Sequence, residues 1–153
     1  MSQELFAMNA IQIVCPHCHR TNRVPANRLQ EQPVCGACKQ SLFGVGPVDV
    51  PAEALLKHVQ NSDIPVVVDC WAAWCGPCRM MGPEFHKAAD AMDTRVRFLK
   101  LDTEANQALS AQLGIRSIPC LILYRNGKEV ARQAGAMSSV QIQAWVRQAS
   151  GVA

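Results

Sequence analysis

The chain has 153 residues, 49% hydrophobic and 18% charged, without a low-complexity run; this excludes a disordered or fibrous protein and fits a domain of about 100 residues carrying a small module. The formal net charge of +3 is spread thinly, with no basic run interleaved with aromatics, so no nucleic-acid groove is expected. No segment has the roughly 20 apolar residues that cross a bilayer, so no membrane role is expected either.

The opening residues, MSQELFAMNAIQIV, contain Glu4 and lack the basic start and cleavage site of an export signal. The expected location is the cytoplasm. In that reducing compartment eight cysteines point to metal binding or redox catalysis rather than to a static disulfide framework.

In chain order, residues 1–46 are rich in Cys, Pro, Gly and Asn, with short apolar runs such as IQIV and SLF, and cannot build a core alone. FGVGPVDVP, residues 43–51, reads as a linker or a lead-in strand. From residue 52 the signals alternate. AEALLKHVQ reads as a helix, IPVVVDCWA as a buried strand, CRMMGPEFHKAADAM as a longer helix and VRFLKLD as a second buried strand. A short helix around ANQALSAQLG follows, then two extended runs in CLILYRNGKEVARQAG joined by the Asn126-Gly127 hairpin signal, and a closing amphipathic helix in SSVQIQAWVRQA. Alternating strands and helices with a final hairpin imply an α/β fold, a mixed central sheet flanked by helices on both faces.

The pattern Cys-x-x-Cys occurs three times, at Cys15/Cys18, Cys35/Cys38 and Cys75/Cys78. The third pair, in WAAWCGPCRM, directly follows an apolar strand and opens a helix. There Cys75 meets unpaired backbone N–H groups and the positive end of the helix dipole, both of which favour thiolate, so Cys75 is the expected nucleophile. Pro77 presets the first turn without forfeiting a needed N–H. Cys78, three residues on, lies over the same face and is the expected resolving thiol. Asp69 and Lys100 interrupt two apolar strands, where charge is costly unless paired or functional.

VVVDCWAAWCGPC, GIRSIP and NGKEV, across roughly residues 48–153, resemble the thioredoxin family. The resemblance implies the thioredoxin fold and the following roles. Asp69 would be the proton acceptor beneath Cys78, and Lys100 would tune it. Substrate would meet Trp74, whose indole would shield the site, Gly76, Pro77, the Ile118-Pro119 loop and Gly135, and Pro83 would kink the active-site helix. Three positions depart from the family pattern: Cys70 stands where an aromatic residue is usual, Cys120 where threonine is common, and Ala73 where an acid is common. Cys70 and Cys120 read as small core residues.

Cys15, Cys18, Cys35 and Cys38 form C-x2-C-x16-C-x2-C, a zinc signature whose four thiolates complete a closed, structural tetrahedron. CPHCH also matches a c-type haem attachment motif, and His17 or His19 are alternative ligands; the second cysteine pair favours zinc. A ribbon ahead of such a fold resembles the zinc-binding bacterial members of the family. The expectation is therefore a small zinc ribbon over 1–46 with one structural zinc, and a protein-disulfide reductase domain over 47–153. The resemblance implies NADPH-dependent thioredoxin reductase as electron donor and disulfide-containing proteins as substrates; no flavin or nicotinamide fingerprint is present. The rival expectation is a zinc-dependent binding protein whose working part is the ribbon.

Overall fold

A computed structural model describes residues 9–153; Glu4 and the opening MSQELFAM lie outside the described residues. The first part is a two-stranded antiparallel sheet, β1 (Ala10–Val14) and β2 (Thr21–Pro25), followed by a one-turn 3-10 helix at Ala26–Arg28. Its small core holds Ile13, Val24, Leu42, Phe43, Cys15 and Cys35, and is completed by Ile64 from the far side of the linker. The IPVVVDCWA run thus splits: Ile64 closes the ribbon core, and the strand itself begins at Val66.

The second part is a five-stranded mixed sheet in the order β3-β5-β4-β6-β7. In the chain, β3 (Val48–Asp49) leads into α1 (Ala52–Asn61), β4 (Val66–Trp71), α2 (Gly76–Ala91) and β5 (Arg97–Asp102). Then come α3 (Gln107–Gln112), the hairpin β6 (Cys120–Arg125) and β7 (Lys128–Ala134), and α4 (Ser139–Ser150). Strands β3, β5 and β4 run parallel, whereas β6 and β7 join antiparallel. The hairpin turns on Asn126 and Gly127, both with φ in the left-handed range that an Asn-Gly pair tolerates. α4 starts on a capping box between Ser138 and Gln141.

Successive strand residues point to opposite faces, which sorts the core into two layers. Val66, Val68, Cys70, Leu99 and Leu101 pack under α1 and α3 with Cys120 and Ile122. Val67, Phe98, Leu121 and Leu123 pack under α2 and α4 against Met81, Phe85, Ile142 and Val146. The rings of Phe85 and Phe98 meet edge to face at 5.0 Å. Among the described residues no helix is long and apolar enough to cross a membrane.

The two parts are fastened at the N-terminal ends of β4 and β5. Arg97, buried at the start of β5, donates from Nη2 to the carbonyls of Leu42 (2.7 Å) and Val14 (3.3 Å), and its guanidinium lies over the Phe43 ring. His58 of α1, also buried, meets His19 of the ribbon at 3.4 Å between Nε2 and Nδ1. Burial, with the neighbouring Arg97 charge, pushes the His58 imidazole down to about 3, so it is neutral.

Candidate active site and metal centre

A short loop leads from the end of β4 at Trp71 to α2, and Cys75 is the N-cap residue of α2, the Sγ accepting the backbone N–H of Cys78 at 3.2 Å. Cys75 and Cys78 are joined in a disulfide. Each residue is 4% exposed, but the two differ in position. Cys75 sits at the cap, whereas Cys78 begins the buried stripe of α2 that continues through Met81, Phe85 and Ala88 toward the sheet. Gly76 and Pro77 form the first turn between them, and Pro83 lies inside α2, where it removes the N–H that would reach the Arg79 carbonyl.

Asp69 shares its face of β4 with Val67, the face that α2 covers. The Cys78 stripe and the Asp69 carboxyl therefore belong to the same layer. Asp69 is 1% exposed, and among the described residues neither carboxyl oxygen has a hydrogen-bond partner. Burial pushes it up to about 7, Lys100 opposing and Asp49 adding to the rise. Lys100 is the register partner of Asp69 on β5, yet no ion pair joins them among the described residues; its Nζ lies 5.0 Å over the Trp71 ring.

The loop facing the disulfide carries the other expected residues. The Ile118–Pro119 peptide is cis, the Ile118 carbonyl lies 3.8 Å from Cys75 Sγ, and the Pro119 carbonyl accepts the Gly135 N–H at 2.9 Å. Gly135 has φ +99°, which strains any side chain, and opens to free space on its Cβ side. Trp74 does not close over the site: it is 67% exposed, and its Nε1 donates to Glu104 at 2.9 Å. With Thr103, Ser110, Ile115, Arg116 and Ile118 it lines a groove of about 390 Å³. Cys70 and Cys120 face each other across β4 and β6 on the opposite layer, away from Asp69, and burial raises both thiols.

At the other end of the sheet, the Sγ atoms of Cys15, Cys18, Cys35 and Cys38 all lie within 4.8 Å of one another. Cys15 to Cys38 and Cys18 to Cys35 are both 3.6 Å, against roughly 3.8 Å for the edge of a tetrahedron with 2.3 Å zinc–sulfur bonds. The donor set fits zinc. Each pair sits on a matching turn: His19 and Lys39 donate N–H to Cys15 and Cys35 carbonyls, and both adopt positive φ. Backbone N–H groups of His17 and Cys18 point at Cys15 Sγ, and those of Ala37 and Cys38 at Cys35 Sγ. His17 donates to the Ser41 carbonyl and His19 meets His58, so neither histidine joins the sulfur cluster.

Asn22, Asp49, His58, Arg97 and Glu104 stand in no motif of the sequence. Asn22 ties β2 to the second cysteine turn by accepting from Gly36 N–H and donating toward Cys35 Sγ. An isolated polar residue with a distant partner leaves no local pattern.

A sequence model described as Thioredoxin matches residues 47–148, and one described as Thioredoxin 2, N-terminal, a zinc ribbon, matches residues 14–40. Thioredoxin C-3 of Corynebacterium nephridii is 44% identical over 136 residues, 89% of this chain and 93% of its own. The thioredoxin of Haemophilus influenzae is 44% identical over 90 residues, 59% of this chain and 84% of its own. Among solved structures, chloroplastic thioredoxin z matches with a TM-score of 0.65 at 30% identity, covering 71% of this chain and 97% of that one. A mutant thioredoxin from Halobacterium salinarum gives 0.64 at 28% identity, with 71% and 94% covered. The chain belongs to the thioredoxin family of thiol-disulfide oxidoreductases and carries, ahead of that fold, a zinc-ribbon module of the thioredoxin 2 type.

Proposed function

We propose that this protein reduces protein disulfides in the cytoplasm through Cys75 and Cys78, with the division between ribbon and reductase domain falling at residues 46 and 47. The observation that carries the reading is the Cys75–Cys78 pair at the start of α2, above a buried carboxyl held near neutrality.

In the reduced protein the Cys75 thiolate, favoured by the Cys78 N–H and the helix N-terminus, attacks one sulfur of the substrate disulfide. A mixed disulfide forms, and the second substrate sulfur leaves as a thiolate that takes a proton from solvent. Cys78 then passes its proton to the Asp69 carboxylate and attacks Cys75 Sγ. That closes the internal disulfide, releases the reduced substrate and delivers two electrons to it. Asp69 suits this step because a carboxyl titrating at about 7 can both take and return a proton at neutral pH. Lys100 limits how far that value rises. The substrate strand lies along Trp74, Gly76, Pro77, Ile118, Pro119 and Gly135, where the open side of Gly135 leaves room for a close backbone.

NADPH-dependent thioredoxin reductase returns the electrons. Cys15, Cys18, Cys35 and Cys38 would hold one zinc ion as thiolates, and the metal would cross-link the two turns as a structural element. The test is reduction of insulin with NADPH and the reductase. Wild type should turn over and Cys75→Ser should not; a Cys75→Ser variant with full turnover would overturn the assignment.

A further inference from the structure

Three charged side chains stand in a row across the sheet. Asp49 of β3 is the register partner of Lys100 on β5, and Lys100 is the partner of Asp69 on β4. Paired residues on neighbouring strands share a face, and Lys100 lies two residues beyond Phe98, so all three belong to the face that α2 covers. Along the row burial increases: Asp49 is exposed on the edge strand, Lys100 is half-buried, and Asp69 is buried. Two strand spacings put Asp49 about 10 Å from Asp69, close to the screening length in physiological salt, with the inner half of the row out of water.

We propose that Asp49 is a positioning residue for disulfide exchange: its negative charge, on the far side of Lys100 in the row, opposes the pull of the lysine on Asp69, and so keeps the buried carboxyl able to take the Cys78 proton at neutral pH. The inference rests on Asp69 as proton acceptor and adds a third group to it. An acceptor fully paired with Lys100 would titrate far below the thiol and be a poor base for it. Two observations support this opposition of charges. Among the described residues no ion pair joins Lys100 to Asp69 or to Asp49, its ammonium lying over Trp71, and the buried carboxyl is lowered by Lys100 and raised by Asp49.

Few other charges face Asp69. Asp102, two residues beyond Lys100, is committed to the N–H groups of Glu104 and Ala105. From α2 come Cys75 and Cys78, while exposed Arg79 donates to the Ala73 carbonyl. β6 and β7 continue the row with uncharged Leu121 and Gln133, and α4 contributes Ile142 and Val146.

The experiment is carbon-13 NMR titration of the Asp69 carboxyl in the oxidised protein, where Cys75 and Cys78 do not titrate, with the signal assigned by its loss in Asp69→Asn. Asp49→Asn changes an exposed edge residue and is expected to move the midpoint down by roughly half a pH unit at low salt, and by less at high salt. Asp49→Glu should restore it, and Lys100→Met should move it up. In the reduced protein, the pH dependence of substrate release from the Cys75 mixed disulfide should shift down with Asp49→Asn as well. An unmoved midpoint in Asp49→Asn at low salt, or an equal shift with Asp49→Glu, overturns the inference while leaving Asp69 as acceptor. If Asp69→Asn leaves the pH profile of release unchanged, the acceptor reading falls and this inference with it.

Discussion

A carboxyl inside an apolar strand must be compensated or protonated, and Asp69 has no hydrogen-bond partner among the described residues. Its proton affinity is raised from the ordinary 3.8 to about 7, so the folded protein binds that proton more tightly than the unfolded chain. Stability therefore falls as pH rises from about 4 to about 7 and stays low above that window. Asp69→Asn removes the dependence. Denaturant midpoints should show it about 2–4 kcal/mol more stable than wild type at pH 8 and nearly equal at pH 3.5. The same variant should release substrate more slowly in single-turnover measurements at pH 7; unchanged release would remove the acceptor role. At the neighbouring sulfurs, Cys78→Ser should accumulate a Cys75 mixed disulfide visible on a non-reducing gel, because nothing remains to resolve it.

At the scale of elements, the order of strands and helices was legible from period and punctuation. The apolar runs of β4 and β5, the amphipathic face of α4 and the Asn126-Gly127 turn each carry their own local signal, and so do the spacings of all three cysteine pairs. The start of α2 on Cys75 was legible for the same reason. What was not legible depends on pairing between distant residues. β3 has only two residues, so the stretch before α1 reads equally as linker or strand, and the partnership of Asp49 with Lys100 appears only once the register is known. Arg97 looks like an ordinary strand-opening cation, but its acceptors lie 83 and 55 residues away. Trp74 reads as a cover for the site, yet its bond to Glu104, thirty residues on, holds the indole outward. Arg97→Ala takes the donor from two buried carbonyls, and should weaken the joint by about 1–3 kcal/mol. Hydrogen exchange should then quicken for amides of β1 and β2 while those of β4 and β6 keep their protection; uniform quickening would mean that the joint does not act locally.

Over the whole molecule, the two sulfur sites lie at opposite ends of the same strands. Arg97, which grips the ribbon, pairs with Val66 at the start of β4, whereas Cys75 follows its last residue, Trp71, so roughly 17 Å of strand separates the two ends. Freshly purified, reduced protein should release about one zinc per chain to a chromophoric chelator. Chelation should loosen the ribbon and lower the melting temperature, since Ile64 and Arg97 lose their packing partners there. Most insulin-reducing activity should survive; complete loss on chelation would show that the joint transmits metal loss to the dithiol. The joint at Arg97 also sets how the molecule meets others. Among the described residues the ribbon meets the N-terminal ends of β4 and β5 and the end of α1, so the face bearing Cys75, Trp74 and Gly135 lies at the far end of those strands. A bulky folded substrate can then reach the dithiol without striking the metal module, and a chain anchored to a bead or a second protein through the ribbon presents its reducing end outward.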